Sequence, residues 1–142
     1  MLQNVLVAAL LVVVTTAVHG VGMVFAVQII EKAKQPQNER RSRTYVYWVG
    51  GVILLMFFVA LIEVLVWAFA YLAVGALEGL EKATYFSMVT FTTLGYGEIV
   101  LDPQWRLLAS FEAATGIVMF GWTTALVIAA VQGTFFADRH TS

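Results

Sequence analysis

The chain has 142 residues, of which 61% are hydrophobic and only 12% are charged, and its mean hydropathy is +0.85. A soluble globular domain of this size needs far more charge to cover its surface, so that class is excluded. There is no cysteine, which excludes disulfides and thiolate metal sites, whereas the net charge of −1 excludes nothing. We therefore expect a single membrane domain.

Three apolar blocks are each long enough to form a helix that crosses a bilayer, which takes about 20 residues. They cover residues 2–30, 45–74 and 105–136. The first block lacks a basic n-region and a small-residue cleavage site, so it is predicted to be a retained helix rather than a signal peptide. An all-α membrane protein with three transmembrane helices is expected.

The first block contains one ionisable residue, His19, beside Gly20 and Gly22. A charged side chain near the bilayer centre costs about 2.5–3.5 kcal/mol on insertion scales, so His19 is expected to face protein or water. It could sense protons, or it could be a packed histidine at a helix contact lined by glycine. The glycine neighbours favour the packed histidine.

The stretch between the first and second blocks is basic. Short loops rich in lysine and arginine stay in the cytoplasm. We therefore predict a cytoplasmic linker over residues 32–44, a short cytoplasmic tail over 137–142 and an N-terminus outside the cell, in a multi-pass protein of the plasma membrane. Five of the eight basic residues carry this prediction: Lys32, Lys34, Arg40, Arg41 and Arg43.

The second block carries Glu63, Trp67 and Tyr71 on one stripe of a helix, because residues four apart are neighbours. Trp67 and Tyr71 are predicted to belong to the aromatic belt at the membrane interface. Glu63 has two interpretations. It could be a protonated carboxyl, or it could accept a hydrogen bond that only fixes packing, from Ser87, Thr90 or a tryptophan; the second interpretation is favoured.

Residues 75–104 are predicted to lie on the outer side. The part over 85–94 is too apolar for an ordinary loop, and the segment is too short to cross the membrane and return. Residues 83–91 predict a short helix that enters from outside, with Glu81 near its positive end. Irregular backbone is tolerated at membrane depth only inside protein or beside water, so this re-entrant segment indicates a pore.

The run Thr92-Thr93-Leu94-Gly95-Tyr96-Gly97 follows the short helix. Glycine at alternate positions permits backbone angles that other residues avoid, so that successive carbonyls can turn to one side. Four such strands around an axis make rings of oxygen that replace the water shell of a potassium ion. One chain supplies one strand and has no internal repeat, so a homotetramer is expected.

Residues 85–97 resemble the pore helix and selectivity filter of the potassium channel family, and residues 116–121 resemble the inner helix of its two-helix members. This resemblance covers about two thirds of the chain and leaves the first helix as an addition. It implies that potassium is coordinated by carbonyls of the filter. The filter residues are Thr93, Leu94, Gly95, Tyr96 and Gly97, with potassium at the first four.

The chain departs from the family pattern near the filter. Leu94 replaces the commoner valine, and Glu98 replaces the commoner aspartate. Tyr85 and Phe86 stand where the family often has tryptophans. Phe86 cannot donate a hydrogen bond to the Tyr96 hydroxyl, a role that Ser87 or Thr90 could take. The predicted supports of the filter are Ser87, Thr90, Thr92, Glu98 and Glu112.

The third block is predicted to open at Asp102-Pro103, because aspartate caps free amides and proline suits the first helical turn. Glu112 lies inside it and could be a protonated carboxyl that braces the filter or an ordinary packing contact. By resemblance Gly116 sits at the gating hinge, although Gly116 and Gly121 could instead permit close helix packing. The predicted cavity and gating residues are Gly116, Ile117, Phe120, Gly121, Thr124 and Ile128.

These features predict a subunit of a potassium-selective channel, with an N-terminal helix over 1–31 and a pore module over 45–136. We expect no cofactor besides potassium as the permeant ion, membrane lipids and identical subunits as partners, and no nucleic acid. An enzyme is not expected, because no nucleophile–base pair, metal cluster or phosphate loop is present. The alternatives are a weakly selective cation channel and a non-conducting scaffold or accessory subunit.

Overall fold

The computed structural model describes residues 2–33 and 41–135, and within these ranges the chain is helical without strands. The four helices are α1 Leu2–Ala33, α2 Arg41–Ala73, α3 Leu80–Phe91 and α4 Arg106–Phe135. α1, α2 and α4 are long and apolar enough to cross a membrane. α3 has 12 residues and extends about 18 Å, too short to cross. The prediction of an all-α fold with three apolar spans is confirmed.

The helix boundaries differ from the predicted ones at two places. α1 continues to Ala33 and α2 begins at Arg41, so both helices extend into the predicted linker. Residues 34–40 of that linker and the tail over 136–142 lie outside the described residues. α4 begins at Arg106, not at Asp102-Pro103. There the Trp105 amide donates to the Asp102 carbonyl at 2.8 Å, because aspartate followed by proline also suits the first two positions of a β-turn.

The three long helices alternate in direction along the chain. The Asn4 side chain donates to the Gln104 carbonyl at the start of α4, and His19 lies beside Thr123 further along it, so α1 and α4 run parallel. α2 runs opposite to both, because its Glu63 contacts His19. The start of α1, the end of α2 and the starts of α3 and α4 therefore share one end of the bundle, which we call the upper end.

Two apolar clusters form the core, one in each half of the bundle. The upper cluster includes Trp67, Tyr71, Phe91 and Leu108, and the lower cluster is smaller. His19, Glu63 and Thr123 lie between them along the three helices. The lower cluster consists of Ala26, Val52, Met56, Val59 and Leu126.

α1 turns one narrow stripe toward the other helices and leaves its other faces apolar and exposed, as expected of a helix in contact with lipid. At Gly22 an added Cβ would lie 2.5 Å from Val59 Cγ2, so glycine permits the close approach of α1 to α2, whereas Gly20 has open space. His19 is buried on the same stripe as this glycine contact, as expected of a packed histidine. The stripe is Asn4, Ala8, Leu11, Thr15, His19, Gly22 and Ala26.

Trp67 and Tyr71 are fully buried, so the prediction that they form an interfacial belt is wrong. α3 covers this face of α2, and the Phe86 ring meets Tyr71 edge-on with centroids 5.1 Å apart. Aromatic residues near a helix end can face either the interface or protein, and only tertiary packing decides between them.

Candidate functional site

The short helix α3 descends from the upper end to the middle of the bundle. It begins after Gly79, whose φ of 84° favours glycine, and Glu81 lies in its first turn as predicted. Its last residue, Phe91, lies against Gly116, ten residues into α4 or about 15 Å below the start of that helix. α3 therefore ends at half the depth of the bundle.

Gly116 makes this close approach possible. A Cβ at that position would lie 1.9 Å from the carbonyl oxygen of Phe91 and 2.8 Å from its carbonyl carbon, distances that real Cβ atoms do not show. Of the two interpretations of Gly116, hinge or packing residue, the structure shows the packing contact. Gly121 has nothing within 4 Å of its Cβ position and serves no such contact in the chain.

After α3 the chain turns and runs back toward the upper end along that helix. The Thr93 amide donates to the Thr90 carbonyl at 2.9 Å, and the Gly95 amide donates to the Val89 carbonyl at 3.2 Å. Further along, the Tyr85 hydroxyl donates to the Glu98 carboxylate. As the chain proceeds from residue 93 to residue 98, its partners lie progressively earlier in α3, so this segment runs antiparallel to α3.

Three alternate residues of this segment have positive φ: 59° at Thr93, 58° at Gly95 and 84° at Gly97. An added Cβ at Gly95 would meet nothing within 4 Å, so the backbone angle rather than space requires glycine there. Thr93 is β-branched, and a β-branched residue with positive φ is an outlier that costs about 1–3 kcal/mol and that clusters at functional sites.

The side chains of residues 92–98 are all exposed in the single chain. Leu94 is 54% exposed and Tyr96 is 66% exposed. Irregular backbone that lies at the depth of apolar helices needs protein or water beside it, because its polar groups have no partner in lipid. This segment therefore requires a neighbour that the single chain does not supply.

Behind the segment, Glu112 joins α4 to α2 and α3. Its carboxyl is fully buried, with Ser87 Oγ 2.5 Å from Oε1 and the Tyr71 hydroxyl 2.5 Å from Oε2. Ser87 Oγ is also 2.8 Å from the Val64 carbonyl oxygen. A serine hydroxyl has one hydrogen, so Ser87 either shares it between the two oxygens or donates it to Val64 while a protonated Glu112 donates to Ser87.

The predicted supports of the filter occupy different places around it. Ser87 and Glu112 meet each other, so Ser87 does not replace a tryptophan as donor to Tyr96. Thr90 contributes its carbonyl to the Thr93 amide, and the Thr92 hydroxyl donates to the Met88 carbonyl at 2.7 Å at the end of α3.

Glu98 accepts a hydrogen bond from the hydroxyl of Tyr85 on α3. The sequence pattern indicated Tyr85 only as a departure from the family pattern. The hydrogen bond to Glu98 is the largest of the causes that raise the pKa of Tyr85 above its ordinary value; burial and the Glu98 charge add to it. This contact restrains the segment just after Gly97.

The predicted cavity residues lie on an exposed face of α4. The Phe120 ring meets Phe91 edge-on, with centroids 5.7 Å apart. Below the end of α3 the face is left uncovered by the described residues, which fits a wall around a central space. The exposed members are Ile117, Phe120, Gly121, Thr124 and Ile128.

Among the described residues, Glu63 makes no hydrogen bond to Ser87, Thr90 or a tryptophan, so the predicted partners of its hydrogen bond are wrong. Its Oε1 lies 3.0 Å from Nδ1 of His19 on α1. Sequence reasoning treated the two residues separately because they are 44 positions apart. The stripe of small and polar residues on α1 was the sequence feature that could have predicted a polar contact between His19 and α2.

The charged residues at the upper end are mostly acidic and exposed, with Lys82 and Arg106 as the basic ones. Within residues 2–33 and 41–135, no group of three metal-binding side chains is placed to hold a metal ion. Carbonyl oxygens and negative charge are thus what this end offers to a cation. The acidic residues are Glu78, Glu81, Glu98 and Asp102.

A family model described as ion channel matches residues 59–133, more than half of the chain. The match includes the second half of α2, all of α3, the segment that follows it and nearly all of α4. No curated protein and no solved structure matches the chain. On the family match, together with three helices able to cross a membrane, this chain belongs to the ion channel family.

Proposed function

We propose that the chain is one subunit of a potassium-selective channel that conducts K⁺ passively across the plasma membrane. The observation that carries the proposal is the segment over residues 92–97, which folds back along α3 with positive φ at alternate residues. Alternation of this kind lets neighbouring carbonyls share one side, and rings of carbonyls select potassium by replacing its water shell. Potassium then coordinates Thr93, Leu94, Gly95 and Tyr96.

The conducting unit is a homotetramer with residues 93–97 of each subunit around a central axis. One segment cannot enclose an ion, and closed rotational symmetry is the common solution for identical subunits. The large exposed fractions of Leu94 and Tyr96 support this assembly, because a neighbouring subunit would cover them. The exposed face of α4 then lines the cavity below the filter.

α3 acts as a re-entrant pore helix that stabilises the ion electrostatically. Its carbonyl end is the negative end of the helix dipole and has no basic residue in its last turn. This end lies at the mid-depth of the bundle, beside the proposed cavity. The acidic upper end raises the local cation concentration before entry.

In the membrane, the upper end faces outside and the other end faces the cytoplasm. Lys32 in the last turn of α1 and the arginines at the start of α2 belong to the lower end, where the positive-inside rule places the cytoplasm. The N-terminus is then outside. Lipid surrounds the exposed apolar faces of α1 and α2, and the channel needs no cofactor.

A flux assay on purified protein in liposomes tests the proposal, with K⁺ and Na⁺ compared under the same gradient. We expect potassium flux to exceed sodium flux, and we expect Gly95→Ala to abolish the preference because alanine disfavours the φ of 58°. Gly50→Ala on α2 is the matched control, since its added methyl group meets nothing within 4 Å and Gly50 lies outside the proposed filter and cavity wall. Equal fluxes of the two ions through the unmodified protein contradict potassium selectivity.

A weakly selective cation channel is the second candidate, and one observation favours it. Phe86 packs on Tyr71 and the Ser87 hydroxyl is engaged by Glu112, so neither holds the Tyr96 hydroxyl. A filter that is less restrained on this side can admit sodium as well. The same assay separates the candidates, and absence of any flux identifies a non-conducting subunit.

A further inference from the structure

His19 and Glu63 form a buried polar cluster that the conduction pathway does not use. The imidazole is 1% exposed and the carboxyl 0%, with Nδ1 and Oε1 3.0 Å apart. On the other side of the ring, Nε2 lies 3.5 Å from the Thr123 hydroxyl on α4. The Trp122 ring stacks on the imidazole, with centroids 5.7 Å apart and planes inclined by 12°. Three membrane-crossing helices therefore meet at one histidine.

The cluster is incomplete as a hydrogen-bonded unit. Glu63 Oε2 is buried and has no hydrogen-bond partner among the described residues. This oxygen is an acceptor that no described residue uses, so the pair has a position at which a further proton can be held. α4 faces the cluster with Thr123 and Trp122, neither of which carries charge.

The other titratable groups of the described helices lie well away from this pair. Tyr71 is eight residues along α2 from Glu63, and Glu112 is eleven residues along α4 from Thr123, about 12 Å and 16 Å along the helix axes. Tyr71 and Glu112 also bond to each other. The remaining charged residues of α1 and α4 lie near the helix ends.

We propose that His19 and Glu63 form an intramembrane proton-binding site whose occupancy α4 senses through Thr123. Without the extra proton, His19 donates from Nδ1 to an ionised Glu63, and the pair has a net charge of −1. A proton from the surrounding water then adds to Nε2, which gives an ion pair of imidazolium and carboxylate. The Nδ1 proton can in addition move across the hydrogen bond to the carboxylate, so that the Nδ1–H bond breaks, an O–H bond forms, and a neutral ring with its proton on Nε2 faces a neutral carboxyl. In both cases the pair is neutral overall.

Proton uptake reverses the hydrogen bond at Thr123. In the unprotonated state Nε2 accepts from the threonine hydroxyl, and in the protonated state Nε2–H donates to it. The hydroxyl hydrogen is then free for the carbonyl four residues back. Thr115 and Thr124 of the same helix already make that bond at 2.8 Å.

Threonine bonds to the preceding turn often bend helices, so proton uptake alters α4 beside Thr124. An effect of this bend on conduction rests on the proposed function, because it requires that Thr124 lines the cavity. The proton-binding site itself is independent of the proposed function.

The test is a titration of the full chain in lipid bilayers by ¹⁵N NMR of labelled histidine. The chain has two histidines, so a His140→Gln background leaves His19 as the only signal. Over about pH 4 to 9 we expect one transition between a neutral and a doubly protonated ring, or between the two neutral tautomers. Glu63→Gln should shift or abolish that transition. A ring that stays in one state throughout overturns the proposal.

A separate variant tests the coupling of the proton-binding site to α4. Thr123→Val keeps the side-chain shape and removes the hydroxyl, so we expect the midpoint of the His19 transition to move. Thr115→Val is the matched control, because this threonine lies on the same helix and bonds only to the Phe111 carbonyl. A midpoint that stays in place in Thr123→Val, as in the control, overturns the coupling. This result is independent of whether the protein conducts potassium.

Discussion

Gly116→Ala perturbs the contact that fixes the depth of α3. The added Cβ would stand 1.9 Å from the Phe91 carbonyl oxygen and 3.2 Å from its Cα, so it meets backbone rather than a side chain that could rotate away. The two helices must separate by about 1.5 Å to restore an ordinary contact of 3.4 Å. Phe91 lies two residues before Thr93, so this displacement reaches the filter directly.

The expected loss of stability is about 1–3 kcal/mol per subunit, the usual range for overpacking in a close-packed interior. Alanine has the higher helix propensity, which offsets part of this loss by up to about 1 kcal/mol. Gly50→Ala lies within α2, where the Cβ position is open and which forms no part of the proposed cavity wall. This control variant receives the same gain in helix propensity without a steric clash. The difference in stability between the two variants therefore measures the cost of the clash with Phe91.

The assay is thermal unfolding of both variants in detergent or lipid, followed by the potassium and sodium fluxes of each in liposomes. We expect Gly116→Ala to unfold at lower temperature and to lose selectivity or flux, while Gly50→Ala behaves as the unmodified protein does. A Gly116→Ala protein with unchanged stability and selectivity would refute the close approach of α4 to Phe91. Reduced opening with intact stability and selectivity would identify a hinge instead.

Three further predictions concern buried carboxyls, the filter mouth and topology. Glu112→Gln should keep assembly and conduction nearly intact in gel filtration and flux assays, whereas Glu112→Leu leaves the buried Tyr71 hydroxyl unpaired and should lower the free energy of unfolding by roughly 1–3 kcal/mol. In ¹³C NMR of labelled tyrosine, Glu98→Gln should lower the pKa of Tyr85 toward its ordinary value, so the ring ionises at lower pH than in the unmodified protein; an unchanged pKa would exclude the hydrogen bond as its cause. Single cysteines at Gln3 and Gln35 should react oppositely with an impermeant thiol reagent in sealed cells, and labelling of Gln35 from outside would overturn the orientation.

Sequence alone predicted the number, type and order of the helices because apolar length is decisive in a membrane. The three spans agree with the structure to within a few residues, and the short helix ending at Phe91 was recognised from its amphipathic run. The start of α4 was misplaced because aspartate followed by proline suits a helix start and a β-turn equally. Here the turn formed, and the helix begins at Arg106.

The sequence pattern did not predict which residues of different helices are in contact. The spacing of Glu63 in its own helix shows which face it occupies but not which helix covers that face, so its pairing with His19 was missed. Tyr71 was assigned to the membrane interface for the same reason. Ser87 and Glu112 were both predicted as supports of the filter, and the structure joins them. The positive φ of Gly95 and Gly97 follows from the freedom that glycine gives the backbone, whereas no sequence pattern indicated the positive φ of Thr93.

The most direct test of the central claim is the reversal potential of purified channels in a planar bilayer, with equal concentrations of potassium on one side and sodium on the other. Selection by carbonyl rings over Thr93 to Gly97 predicts that current reverses far from zero voltage, in the direction set by potassium alone. Reversal near zero would show that sodium passes as readily as potassium and would contradict the account.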